Sequence, residues 1–173
     1  RKAGIKIHWI HPLFDYQEGK KSFNQISALM VRAGKNNEGL PAIQTGGNVG
    51  TAAWFMGWKI LNCDTVTLIG IDHGWSDEDD WGKISSHNGL YDPIPVTQES
   101  SMGVKLFPRI FNPEFNNYCI LDPIFQYYRG AILEFISRSP LDVETINATE
   151  GGSLFGKGIE CMTFENFLKK YKQ

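Results

Sequence analysis

The chain has 173 residues, with 17 Lys and Arg against 19 Asp and Glu and a net charge of −2. That length gives one domain room for a core. The near-neutral balance excludes a general nucleic-acid binder, which needs clustered Lys and Arg against phosphates. No apolar run approaches ~18 residues, so no membrane span is expected.

Cys63, Cys119 and Cys161 stand far apart with no Cys-x-x-Cys pair. This excludes a zinc ribbon and points to buried or half-buried thiols in a reducing, cytoplasmic compartment. The chain opens at Arg1 and runs at once into a strand-like segment. No signal-peptide pattern is legible there, and we expect a piece of a longer unit.

In chain order, Ile5 to Ile10 alternates apolar and polar residues and reads as a strand, ended by Pro12. Ser22 caps a helix to about Ala33, with Phe23, Ile26, Leu29 and Met30 at helical spacing. Leu40 to Thr45 is a short strand running into Gly46-Gly47-Asn48. Thr51 to Leu61 is apolar around most of its circumference, which predicts a helix buried on several sides. Thr65 to Ile71 is β-branched and almost continuously apolar, as in a central parallel strand covered on both faces.

Residues 76–118 have little periodicity and read as an irregular insertion over the site. Asp122-Pro123 opens a helix, with a cap before proline at the first helical position. Val143 to Ala148 is a further strand, and Thr163 caps a last amphipathic helix, Phe164 to Tyr171. Alternation of strands and helices predicts an α/β domain over residues 1–173, with a mostly parallel sheet and helices on both faces.

In such sheets ligands bind outside the carboxyl ends of the strands. Three loops rich in small, polar or charged residues follow strand ends: Thr45-Gly46-Gly47-Asn48, Asp72-His73-Gly74-Trp75 and Thr149-Glu150-Gly151-Gly152. If the strands are parallel, all three meet at one edge. The glycine pair opens a helix, where free N–H groups and the dipole suit a phosphate or carboxylate; a plain tight turn is the alternative.

Asp72 can hold Mg²⁺ or orient a sugar hydroxyl, and His73 can move a proton near neutral pH. Equally, Asp72 can cap a turn and His73 can pack under Trp75. Taken alone, His87 reads as a solvated loop histidine. Asp77 to Asp80 lacks calcium-loop spacing and reads as a solvated charged loop. Trp75 and Trp81 flank it and can stack a base or sugar, or simply pack.

The segments Pro41-Ala42-Ile43-Gln44-Thr45-Gly46-Gly47-Asn48-Val49, Leu68-Ile69-Gly70-Ile71-Asp72-His73-Gly74-Trp75 and Ile146-Asn147-Ala148-Thr149-Glu150-Gly151-Gly152 together resemble the MptE-like domain family. That superfamily contains archaeal 6-hydroxymethylpterin pyrophosphokinases and the motility-associated (Maf) flagellin glycosyltransferases. The Asn-Ala-Thr-Glu-Gly-Gly element points to the glycosyltransferase side. Ser86-His87-Asn88-Gly89 is similar to a Thr-His-Ala-x-Gly-like stretch seen there after the Asp motif. The likeness covers roughly residues 40–170.

The resemblance implies a Rossmann-like core related to bacterial sialyltransferases and a nucleotide-activated donor such as a CMP-linked nonulosonic acid. It departs from the family twice. The upstream Gly-Pro-Ser-like loop and Asp-ended strand are not found, as in the C-terminal part of a larger domain. His73 also stands where a smaller or apolar residue is usual, so its role rests on position alone.

The first expectation is therefore a glycosyltransferase-like domain acting on a protein or small-molecule hydroxyl. Gly46, Gly47 and Asn48 would cradle the donor's anionic group, and Asp72 would fix a hydroxyl, or Mg²⁺ if one is used. His87 or His73 would serve as acid or base, and Thr149, Glu150, Gly151 and Gly152 would form the far wall. Thr45, Gly74, Trp75 and Asn88 complete the expected binding residues. The alternatives are ATP- and Mg²⁺-dependent diphosphate transfer to a hydroxymethyl pterin, and an inactive nucleotide- or sugar-binding module.

Overall fold

A computed structural model describes residues 45–87, 96–140 and 143–172. The predicted strand at 5–10, the helix at 22–33, the strand at 40–44 and Asn88 lie outside the described residues. Gly46–Gln173 forms one compact unit. Among the described residues, no helix is long and apolar enough to cross a membrane.

The unit is α/β, with two three-stranded sheets. In the first, β1 (Thr65–Leu68), β5 (Glu144–Asn147) and β6 (Ile159–Cys161) lie in the order β1-β5-β6, and both pairings are parallel. In the second, β2 (Trp75–Ser76), β3 (Arg109–Asn112) and β4 (Asn117–Ile120) are antiparallel in the order β2-β4-β3. The expected parallel sheet is present, and beside it the segment that reads as irregular contributes to a second, antiparallel sheet.

Helix α1 (Val49–Lys59) and helix α4 (Pro123–Arg138) pack on one face of the parallel sheet. Trp54 of α1, Leu68 of β1, Ile132 and Ile136 of α4 and Leu154 form its buried core. Trp54 also donates its indole N–H to Thr145 Oγ1 of β5 at 2.9 Å, which satisfies both buried polar groups. On the opposite face Ile146 is fully buried. Gly57 lets α1 approach β1, because a Cβ there would lie 3.2 Å from Val66.

Two apolar segments are shorter or more exposed than their composition predicts. Helix α1 buries only Thr51 and Trp54, and Val49, Ile60 and Leu61 are exposed. Strand β1 ends at Leu68 rather than Ile71, because Gly70 adopts φ +69° and turns the chain out of the ladder, leaving Ile69 exposed. In the remainder of the predicted insertion, α2 (Trp81–Ser85) and α3 (Ser101–Leu106) are short helices capped by Asp80 and Ser100. Ile84, Phe107 and Ile120 give this part its own small core, with Trp75 and Trp81 against it.

The caps predicted downstream are observed. Asp122 accepts the Phe125 N–H at 2.7 Å ahead of Pro123, and Thr163 accepts the Asn166 N–H at 3.2 Å ahead of α5 (Phe164–Tyr171).

Candidate active site

The loops after β1 and β5 are joined directly. The Ile71 N–H donates to Thr149 Oγ1 at 3.2 Å, the Ser153 N–H to the Asp72 carbonyl at 2.8 Å, and the Ser153 hydroxyl to the His73 carbonyl at 2.7 Å. Parallel pairing makes this junction, because it brings both strands' carboxyl ends to one edge. Gly152 lies against the Asp72 backbone at φ +73°, where a Cβ would stand 2.4 Å from the Asp72 carbonyl oxygen.

The glycine turn reaches the same region through α4. Gly46 and Gly47 adopt φ of +58° and +80°, a conformation that favours glycine. A Cβ on Gly47 would meet Tyr127 at 2.8 Å and Tyr128 at 3.0 Å, and the Tyr128 ring lies 5.7 Å from that of His73. Gly47 therefore makes room for α4 aromatics on its Cβ side. Asn48 is the N-cap of α1: it accepts the Thr51 N–H at 2.8 Å and donates to Gly46 O and Thr51 Oγ1. Its side chain is engaged by the turn, which leaves backbone N–H groups as what this loop offers a ligand. Thr45, just before the turn, is half-buried.

The residues of the third loop divide by task. Thr149 latches Ile71, and Glu150, at φ +67°, accepts the Phe164 N–H at 2.9 Å and so caps α5. Gly151 is buried beside Asn117. Gly152 gives its carbonyl to Asn112 Nδ2 at 2.9 Å, which ties the antiparallel sheet to this edge.

His87 and Asp122 form a close ring-to-carboxylate pair, His87 Nδ1 on Asp122 Oδ2. Asp122 is 2% exposed. Its Oδ2 also accepts the Trp75 indole N–H at 2.8 Å, while Oδ1 caps α4. A carboxylate accepts only, so the network assigns the His87 proton to Nδ1 and an open lone pair to Nε2. The imidazole is held between Phe125, at 4.5 Å between ring centroids, and the edge of Trp75, at 5.0 Å, and is partly exposed. Asp122 reads from sequence as a helix cap alone, and its second oxygen carries no sequence signal.

His73 is different. It is 7% exposed at φ +43°, its Nδ1 has no hydrogen-bond partner among the described residues, and burial pushes its pKa down to about 4. It is neutral at pH 7 and packs against Phe125 and Tyr128 rather than under Trp75. Asp72 is exposed as a residue, yet neighbouring chain desolvates its carboxyl enough to raise its pKa, against a backbone hydrogen bond that lowers it. Gly74 packs beside Cys119, whose thiol burial raises to about 11, so Cys119 is not a nucleophile at neutral pH.

Asp77 to Asp80 forms a charged, capped turn. Asp77 holds Arg109 with an Oδ2 to Nη2 distance of 2.6 Å, Asp79 accepts the Ser76 N–H at 2.7 Å, and Asp80 caps α2. Trp81 packs on Phe107 and donates to Val96 O. Among the described residues, no group of three His, Cys, Asp or Glu could hold a metal ion. Asp72 therefore offers Mg²⁺ one ligand rather than a cage, an arrangement that needs substrate phosphates to complete it.

No family model, curated protein or solved structure matches this chain. The resemblance to the MptE-like family rests on the three motifs.

Proposed function

We propose that the domain transfers a group from a nucleotide-activated donor to a hydroxyl acceptor. In its specific form this is a glycosyltransferase-like domain on a Rossmann-like, sialyltransferase-related core, using a CMP-linked nonulosonic-acid-type sugar. The observation that carries the reading is the His87–Asp122 pair, a partly exposed histidine whose tautomer is fixed through Nδ1, beside the strand-end loops.

His87 Nε2 removes the acceptor O–H proton as the acceptor oxygen bonds to the anomeric carbon and the bond from that carbon to the nucleotide phosphate oxygen breaks. Asp122 accepts the Nδ1–H hydrogen bond and stabilises the imidazolium. Asp72 orients a donor hydroxyl, and the α1 N-terminus presents N–H groups and a positive dipole end to the donor's charge. Positioning and charge stabilisation supply most of the rate.

The test is a thermal-shift panel with CMP, CDP, ATP and GTP, each with and without Mg²⁺, followed by turnover assays of His87→Ala. A metal-independent CMP shift is expected, of several degrees at ~100 times the dissociation constant. His87→Ala should keep that shift and lose roughly 10²–10⁴-fold in turnover. A shift only with ATP and Mg²⁺ would replace this reading with diphosphate transfer. Nucleotide binding with no turnover by the intact protein would make the domain a binding module.

A further inference from the structure

Trp75 is joined to His87 through the carboxylate oxygen that holds them both. Its indole N–H donates to Asp122 Oδ2 at 2.8 Å, and His87 Nδ1 meets the same oxygen. The two rings stand nearly perpendicular, at 86°, with centroids 5.0 Å apart. From sequence this tryptophan reads as a face for stacking a base or sugar. In the folded chain its N–H is used inside the protein, and His87 is one of its ring neighbours.

Trp75 is anchored independently of His87. It opens β2, pairs with Ile120 of β4 and packs on the small core of Ile84, Phe107 and Ile120. Asp122 lies two residues beyond Ile120, so strand pairing brings the indole to the carboxylate. The carboxylate itself has one local restraint, the Phe125 N–H on Oδ1 at 2.7 Å. A single bond leaves Oδ2 free to swing about the cap, and the indole N–H supplies a second fixed point. A carboxylate oxygen accepts along two lone-pair directions, so a donor on one directs the other. His87 has less to hold it. It lies just past α2, and among the described residues its ring makes one hydrogen bond, the one to Asp122.

We infer that Trp75 is a positioning residue: its indole N–H fixes Asp122 Oδ2, and so keeps the His87 proton on Nδ1 and the Nε2 lone pair free for the acceptor hydroxyl. Its effect on turnover rests on the transfer reading, whereas its effect on the imidazole tautomer does not. Trp75 acts through Asp122 and His87 and needs no contact with substrate. It also stands three residues after Asp72, so the residue that sets the base belongs to the loop that orients the donor in the proposed reaction. Alignment of this kind governs rate rather than affinity, and a shift of about 1 Å can cost on the order of 10²-fold.

Nitrogen-15 NMR of histidine-labelled protein, recorded with the ring neutral, reads the His87 tautomer without substrate. Wild type is compared with Trp75→Phe and with protein carrying benzothienylalanine in place of Trp75. That analogue keeps the shape of the indole and has sulfur where the N–H stood, which covers the case in which Trp75→Phe does not fold. Wild type should show one tautomer, protonated at Nδ1. Both replacements should show a mixture in which the Nε2-protonated form appears. Their kcat should fall roughly 10- to 100-fold, with KM within about twofold of wild type.

Packing alone would leave the analogue with the wild-type tautomer and kcat, and either result overturns the assignment. So does an Nε2-protonated His87 in wild type, or a loss confined to KM, which would make Trp75 part of the binding surface. Full turnover by His87→Ala would instead remove the transfer reading, and the tautomer would still decide whether Trp75 sets the imidazole. The two failures therefore give different results.

Discussion

Asp122 does three things with two oxygens. Oδ1 caps α4 through the Phe125 N–H, while Oδ2 holds the Trp75 indole and the His87 ring. These tasks separate on substitution. Asp122→Asn keeps an oxygen for the cap, but its amide nitrogen cannot accept from Trp75 or His87. It should cost about 1–3 kcal/mol for the donor left unpaired, and turnover should fall through loss of the Nε2 lone pair rather than through loss of ligand affinity. Asp122→Ala removes the cap as well and should cost about 1 kcal/mol more. Urea denaturation gives the stabilities, and a separate comparison of KM with kcat tells positioning from binding: a rise in KM alone would assign Asp122 to binding and not to His87. The sequence shows Asp122 as a cap because the Asp-Pro pair is a local signal. Its partnership with His87, 35 residues away, is tertiary and leaves no mark in spacing.

Among the elements, the glycines discriminate between local and tertiary causes. Gly130 lies inside α4, and a methyl group there would find nothing within 4 Å, so Gly130→Ala should stabilise by about 0.5–1 kcal/mol through helix propensity. Gly152→Ala should do the reverse: its positive φ and the Asp72 carbonyl at 2.4 Å leave no room. We expect more than about 2 kcal/mol of destabilisation and a broken junction between the β1 and β5 loops. Paired urea midpoints check both, and a tolerated Gly152→Ala would show that the junction is not rigid. Helices α1, α4 and α5 and strands β1 and β5 are legible in the sequence because caps and apolar runs are written locally. The β3–β4 hairpin is not, because it inverts the usual pattern. Phe111 and Tyr118 pair across the strands on the exposed face, with Arg109 stacked 3.6 Å over the Tyr118 ring, while Asn112 is fully buried to hold Gly152. Strands β2 and β6 are too short to register as periodic. Strand order is enough to assign the loops after β1 and β5 to one edge, and the strand expected ahead of the glycine turn lies outside the described residues.

For the folded unit as a whole, acid should act in two separate windows, set by groups at different places on the structure. His73 has a pKa of about 4 folded against 6.5 as a free side chain. Between those values the unfolded chain binds the extra proton, so stability is full above pH 6.5 and declines as pH falls toward about 4, by at most about 3 kcal/mol. Glu144 lies at the other end of the parallel strands, where it holds α5 to the sheet. Its carboxylate accepts from the Tyr171 hydroxyl, from Lys170 Nζ at 3.0 Å and from Thr65 Oγ1 at 3.1 Å, and Lys170 also reaches Glu160 at 2.7 Å. The Tyr171 and Lys170 bonds hold its pKa down at about 2 against 4.5. Its contribution is therefore present above pH 4.5 and lost as pH falls toward 2, and because the groups are exposed it is modest and weakened by salt. His73→Asn suits the left-handed backbone and should flatten the upper window alone, and Glu144→Gln the lower alone. Urea midpoints from pH 7.5 to pH 3 at two salt concentrations resolve them. An unchanged slope between pH 6.5 and pH 4 in His73→Asn would mean that the imidazole reaches solvent when protonated, and the assignment of the upper window to His73 would be withdrawn.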